Sequence, residues 1–160
     1  MLKQRTLRNP IKAVGIGLHT GKNINMELLP SDINTGISFI RTDIDPENVI
    51  SASAENVGDT TLSTALVKDN IKISTIEHLL SAIAGLGVDN CLIKVDGPEI
   101  PIMDGSSSPF VFLIQSAGIE EQDSLKKFIK VKKEISVTRG DAYAKIKPFN
   151  GFKVSYKVDF

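Results

Sequence analysis

The sequence predicts an α+β chain, and three observations lead there. Short strand-like segments broken by turns fill residues 1 to 73. Two helical patterns follow, at 74–87 and 108–118, and everything after residue 124 alternates as strand. Helices and strands are therefore grouped along the chain rather than interleaved strand by strand, as in α+β folds.

The first strand signal is Ala13-Val14-Gly15-Ile16-Gly17-Leu18, running into the turn His19-Thr20-Gly21-Lys22. Asn23 to Leu29 then places Ile24, Met26 and Leu28 on one face, and Pro30-Ser31-Asp32 ends it. Gly36 to Ile40 is a further strand, and Asp45-Pro46-Glu47-Asn48 a loop. Thr61–Val67 and Ile71–Ile73 form an expected hairpin around Lys68-Asp69-Asn70. The glycines around His19 do not make a phosphate loop. Five residues separate Gly15 from Gly21-Lys22 and three separate Gly17, where that motif needs four, and Asn23 stands where Ser or Thr is required. His19 reads as an exposed structural turn residue, with proximity to a site as the lesser alternative.

The stretch Ser74 to Gly87 organises the chain. Ile76, Leu79, Leu80 and Ile83 recur at i, i+3, i+4 and i+7, the stripe of an amphipathic helix. Ser74 or Thr75 is the expected N-cap, with Gly85 and Gly87 as the stop. On a helical wheel Glu77 flanks the apolar stripe and His78 lies nearly opposite it, with small Ser81 and Ala82 beside it. Ser74-x-x-Glu77 also fits a capping box, in which the carboxylate only satisfies a backbone amide. His78 equally fits an ordinary solvated surface histidine.

Val88 to Val95 reads as a strand, Gly97 to Pro101 as a stiff loop and Asp104-Gly105 as a turn. The second helix has Ser108 as N-cap, Pro109 at the first helical position and Gly118 as its stop. Polar, acidic Glu120 to Ser124 is the expected linker, dividing a first α+β domain, 1–124, from a second segment, 125–160. That segment shows strands at Phe128–Thr138, Ala142–Lys147 and Phe152–Phe160. The last alternates strictly and breaks off mid-pattern, which reads as the truncated start of a second domain. The lysines at 126, 127, 130, 132 and 133 decorate the solvent side of the first of these strands.

Nineteen basic residues balance nineteen acidic ones, so no global field attracts nucleic acid or an anionic membrane surface. Cys91 is the single cysteine, which excludes an internal disulfide, and its strand setting marks it as buried. No apolar run reaches transmembrane length and no secretory h-region opens the chain, so the cytoplasm is the default expectation.

Gly15-Ile-Gly-Leu-His-Thr-Gly-Lys22, Ile73-Ser-Thr-Ile-Glu-His-Leu79, Gly85-Leu-Gly-Val-Asp-Asn90, Pro98-Glu-Ile-Pro-Ile-Met-Asp-Gly-Ser106 and Lys147-Pro-Phe-Asn-Gly151 resemble the UDP-3-O-acyl-N-acetylglucosamine deacetylases, the zinc amidases of bacterial lipid A synthesis. The resemblance implies two similar domains, each a sheet backed by helices, whose helical layers face each other across the active site. It implies His78 as a zinc ligand and Glu77 as the general base. It places Leu18, Thr61 and Leu62 near the passage for the substrate acyl chain, and Asp159 and Phe160 at the nucleotide end. The substrate would be a UDP-linked, acylated glucosamine, losing its N-acetyl group by hydrolysis. The remaining zinc ligands, a lysine and a catalytic histidine belong to a second half of the family's length, so this chain alone is expected to be inactive. The rival reading is a non-catalytic α+β binding or scaffold domain, with Glu77 as cap and His78 as surface.

Overall fold

The computed structural model describes residues 1–158 and resolves into two compact units, Met1–Lys126 and a second beginning at Lys127. The fold is α+β.

In the first unit the strands are β1 (Lys3–Leu7), β2 (Ile11–Ile16), β3 (Asn23–Pro30), β4 (Ile37–Arg41), β5 (Val49–Ser51), β6 (Leu66–Lys68), β7 (Ile71–Ile73), β8 (Cys91–Val95) and β9 (Ile119–Leu125). The helices are α1 (Glu77–Leu86) and α2 (Ser108–Ala117). Five strands form a mixed sheet in the order β2-β3-β8-β4-β5, parallel only between β4 and β8. Period-2 alternation decides which face is buried. Register places Ile11, Leu28, Ile93, Phe39 and Ile50 in one row across the whole sheet. The last four of these are fully buried. They share one core with Leu79, Ala82 and Ile83 of α1 and Phe110, Ile114 and Ala117 of α2. The helices thus cover one sheet face, and each large apolar side chain so buried contributes about 1.5–3 kcal/mol.

Beside that row, Ala13, Met26, Val95 and Arg41 make a second. Arg41 is buried, and its charge is met by two bonds to Asp43 (2.8 and 2.7 Å) and one to the Lys72 carbonyl (2.8 Å). That carbonyl belongs to β7, so the strand entering α1 is tied to the end of β4. β6 and β7 form the expected hairpin, with Asp69 and Asn70 both at positive φ (50° and 65°), as a two-residue type I′ turn requires. It is shorter than its sequence suggests, because Thr61 to Ala65 is loop, with Leu62 at φ 60°.

The acidic stretch 120–124 is not a linker. It lies within β9, which pairs antiparallel with β1 and brings Leu125 opposite Lys3. Polarity misleads here because β9 is a strand with one wet face: Glu120, Glu121 and Asp123 are exposed, while Gln122 reaches inward to Asn90. In the second unit β10 (Ile135–Arg139) and β11 (Ala142–Ile146) form a hairpin over Gly140-Asp141. Phe128–Glu134 and Phe152–Val158 carry no strand, contrary to their alternation. Phe152, Val154 and Tyr156 are largely exposed, so the packing that would make their apolar face a strand face is absent from the described residues. Among those residues no helix is long and apolar enough to cross a membrane.

Candidate active site

α1 begins at Glu77, two residues later than a Ser74 cap would start it. Ser74 is engaged elsewhere: its amide and hydroxyl both donate to the Pro98 carbonyl (2.9 and 3.2 Å), and its own carbonyl accepts from the Ile100 amide (2.9 Å). Thr75 is buried at φ 59°, an unfavourable conformation for a β-branched residue. The position before the helix is Ile76, which has no side chain able to cap. The capping box is therefore not made. One oxygen of Glu77 instead accepts the Thr64 amide at 3.1 Å. Ile76 donates to the Thr64 carbonyl at 3.4 Å, which closes the 58–65 loop onto the start of α1. At the far end Gly87 takes the left-handed conformation (φ 69°) and stops the helix as expected.

His78 is half-buried, and among the described residues its ring makes no hydrogen bond. Of its two small neighbours, Ser81 is exposed and returns its hydroxyl to the His78 carbonyl (2.9 Å). Ala82 instead faces the core, because it falls beside Ile83 and Leu79 on the buried stripe. Asp104 is the acidic neighbour of His78. The Ser106 hydroxyl and amide (2.8 and 2.9 Å) hold its carboxyl below the usual range, and the His78 charge acts in the same direction. These bonds make the Asp104 turn that the Asp-Gly pair predicts.

Thr61 and Leu62 are exposed on the loop that Thr64 fastens to Glu77, and Leu62 is 86% exposed. Leu18 is also exposed, in the turn between β2 and β3. The structure thus draws Thr61, Leu62, Glu77 and His78 to one end of α1, with Leu18 on a separate turn. Asp159 and Phe160 lie outside the described residues.

Two participants are not visible from spacing. Thr64 is one; its only sequence signal is its position close to Thr61 and Leu62. The other is Glu99, completely buried between two prolines. It accepts from the Thr20 amide and hydroxyl (2.8 and 2.7 Å), the His19 amide (3.2 Å) and the Thr75 hydroxyl (3.3 Å). Burial opposes its ionisation, but these donors outweigh it and hold the carboxyl below the ordinary glutamate range.

A catalytic zinc site takes three protein ligands and one open position. Among the described residues no three His, Cys, Asp or Glu side chains come together in that way. His78, with an uncommitted ring, fits one ligand of such a site, and the described residues do not complete it.

The comparisons agree with the motifs. The chain is 59% identical to the UDP-3-O-acyl-N-acetylglucosamine deacetylase of Cellvibrio japonicus (strain Ueda107), 58% to that of Hahella chejuensis (strain KCTC 2396) and 56% to that of Marinobacter nauticus (strain ATCC 700491 / DSM 11845 / VT8). Each match covers all 160 residues of this chain but 53% of the relative, so the chain spans about half their length. The family model for UDP-3-O-acyl N-acetylglycosamine deacetylase (LpxC) matches residues 4–160. A match running from β1 past the last hairpin takes in the Glu-His helix, the turn at His19 and the loop at Glu99 together, and the chain accordingly belongs to the UDP-3-O-acyl N-acetylglycosamine deacetylase family.

Proposed function

We propose that this chain supplies the Glu-His helix of a zinc-dependent deacetylase. Its substrate is a UDP-linked, 3-O-acylated N-acetylglucosamine, and its place is lipid A synthesis. One observation supports this most: Glu77 is not used as a cap. Its carboxylate sits at the first position of α1, held through one oxygen by Thr64, directly before a histidine whose ring is uncommitted.

The roles follow from that placement. A carboxylate beside a metal-ligating histidine takes the proton of the attacking water, as a general base. Zinc held in such a site would supply Lewis acidity, polarising the amide carbonyl and making its bound water acidic enough to attack near neutral pH. His78 contributes one nitrogen to the metal. Leu18, Thr61 and Leu62 line the approach of the acyl chain, and their exposure leaves apolar surface for it to cover. Asp159 and Phe160 serve the nucleotide end. The remaining metal ligands come from residues this chain does not contain, so the 160-residue chain by itself binds zinc weakly and does not turn over. A UDP-linked substrate puts the reaction in the cytoplasm, where nucleotide sugars are made.

The experiment is metal analysis and steady-state kinetics on a protein of the family's full length carrying this sequence. Glu77→Ala should lower kcat about 10²–10⁴-fold with zinc retained. His78→Ala should lose both metal and rate. A Glu77→Ala protein with a lower Tm but unchanged kcat would reduce Glu77 to a structural tie for the 58–65 loop.

A further inference from the structure

We propose that Glu99 is a positioning residue of this site: a buried carboxylate that locks the Gly17–Lys22 turn to the segment launching α1. The proposal rests on the deacetylase reading for its kinetic consequence, while its geometry stands independently.

Among the described residues no salt bridge reaches Glu99, although it is fully buried, and the His19 charge acts on it more weakly than the hydrogen-bond donors. A carboxylate in that setting is costly unless donors surround it. Here four donors do, and they come from two separate segments. Oε1 takes both Thr20 groups; Oε2 takes the His19 amide and the Thr75 hydroxyl. The turn it grips carries Leu18, and its other partner stands two residues before Glu77 and three before His78.

Two further features belong to the same lock. Gly17 is buried against the carboxylate, and a Cβ there would overlap Glu99 Oε1, so the turn closes only with glycine. Its backbone is closed as well, with Gly17 donating to the Lys22 carbonyl and Gly21 to the Gly17 carbonyl (both 2.9 Å). Thr75 holds its left-handed φ of 59° between the Glu99 bond on one side and the pairing of Ser74 with Pro98 and Ile100 on the other. Backbone held in such a region persists only where its surroundings over-determine it. Among the described residues Glu99 is the one side chain hydrogen-bonded to both the turn and Thr75. Displacing it frees the turn and relaxes the register in which α1 presents its first two residues.

Gln at 99 tests this with little change in volume. It offers one acceptor oxygen for two backbone amides, so its NH₂ must face the His19 or the Thr20 amide, donor to donor. In the full-length protein Glu99→Gln and Gly17→Ala should each lower kcat/KM by roughly 10²-fold, the effect of a misplacement near 1 Å. Zinc content should be unchanged. The double variant should be no worse than either single, since both break one lock. Thr75→Ser, which keeps the hydroxyl, should stay near wild type, and Thr75→Val should not. Hydrogen exchange should quicken at the His19 and Thr20 amides while core amides such as Ile93 keep their protection. Should Glu99→Gln fail to fold, Thr20→Val removes one hydroxyl donor and should show the same local exchange signature.

Wild-type kcat/KM in Glu99→Gln, additive losses in the double variant, or exchange rising equally at Ile93 and His19 would each overturn the proposal. A wild-type protein that did not deacetylate, or a fully active Glu77→Ala, would instead remove the deacetylase reading. The exchange comparison would then decide the lock alone.

Discussion

Asn90→Leu is a perturbation whose size follows from the structure. Asn90 is 1% exposed, immediately before β8. Its amide nitrogen donates to Gln4 Oε1 (2.8 Å) and Gln122 Oε1 (2.7 Å), and its oxygen accepts the Gly36 amide (2.9 Å). One side chain therefore joins β1, β9 and the loop entering β4. Leucine has the same number of side-chain heavy atoms in the same branched arrangement and none of these bonds. Gln4 Oε1 keeps the Asn34 amide (2.9 Å), so the principal orphans are Gln122 Oε1 and the Gly36 N–H. A buried group left unpaired costs about 1–3 kcal/mol. Gly36 and Gln122 are only half-buried, so the lower part of that range applies to each, and the sum is about 2–3 kcal/mol. For a cooperative unit of this size that lowers Tm by roughly 6–15 °C. Urea unfolding followed by circular dichroism reads the change directly. A double-mutant cycle with Gln122→Ala should show coupling of at least about 0.5 kcal/mol. A loss within about 0.5 kcal/mol of zero, the usual range for surface changes, would show that the network does not hold β9 in place.

Truncation after Lys126 should leave the first unit cooperatively folded, whereas truncation after Gly118 should destabilise it severely. The shorter chain loses β9, the Gln122 bonds to Asn90 and Ser31, and the Lys126 ion pair with Asp89 (2.7 Å); melting curves of the two chains separate these outcomes. Burial pushes the Cys91 thiol up to about 12, so a thiol reagent at pH 8 should label it only in denaturant; rapid native labelling would contradict its burial. The Glu99 carboxyl titrates below its ordinary value of 4.5 when folded, so its stabilisation is complete above that value and is lost as pH falls through the lowered one. The acid limb of a stability–pH curve should accordingly be flatter in Glu99→Gln; an unchanged limb would mean that other carboxylates control it.

Local pattern was enough wherever one face of a regular element decides the outcome. Ile24, Met26 and Leu28 are buried as their alternation requires, and Leu79 and Ile83 as their helical spacing requires, because these periods are properties of the backbone itself. Gly87 and Gly118 end their helices for the same local reason. The motif blocks carried the family and put Glu77 and His78 side by side without any structure. The α2 cap was one residue out, since Ser107 holds that position and Ser108 is already helical.

What the chain's own order could not reveal is where side chains find partners far along it. Ser74 and Glu77 have the spacing of a capping box, yet Ser74 is captured by Pro98 and Ile100, and Glu77 by Thr64. Residues 120–124 look like a linker because exposed carboxylates dominate them, while their strand character comes from β1, over a hundred residues away. Phe152 to Val158 fails in the opposite sense: its alternation is perfect, but alternation makes a strand only against a partner and a core. The sequence by itself determined the fold class, the two helices, the sheet's buried face and the family, because periodicity, turn chemistry and motif blocks are local. Only the tertiary structure decided that Glu77 is no cap, that β9 belongs to the first unit, and that Glu99 ties the His19 turn to Thr75. Hydrogen-bond partners 24 and 80 residues apart are chosen by which groups burial leaves unsatisfied, and no local pattern records that choice.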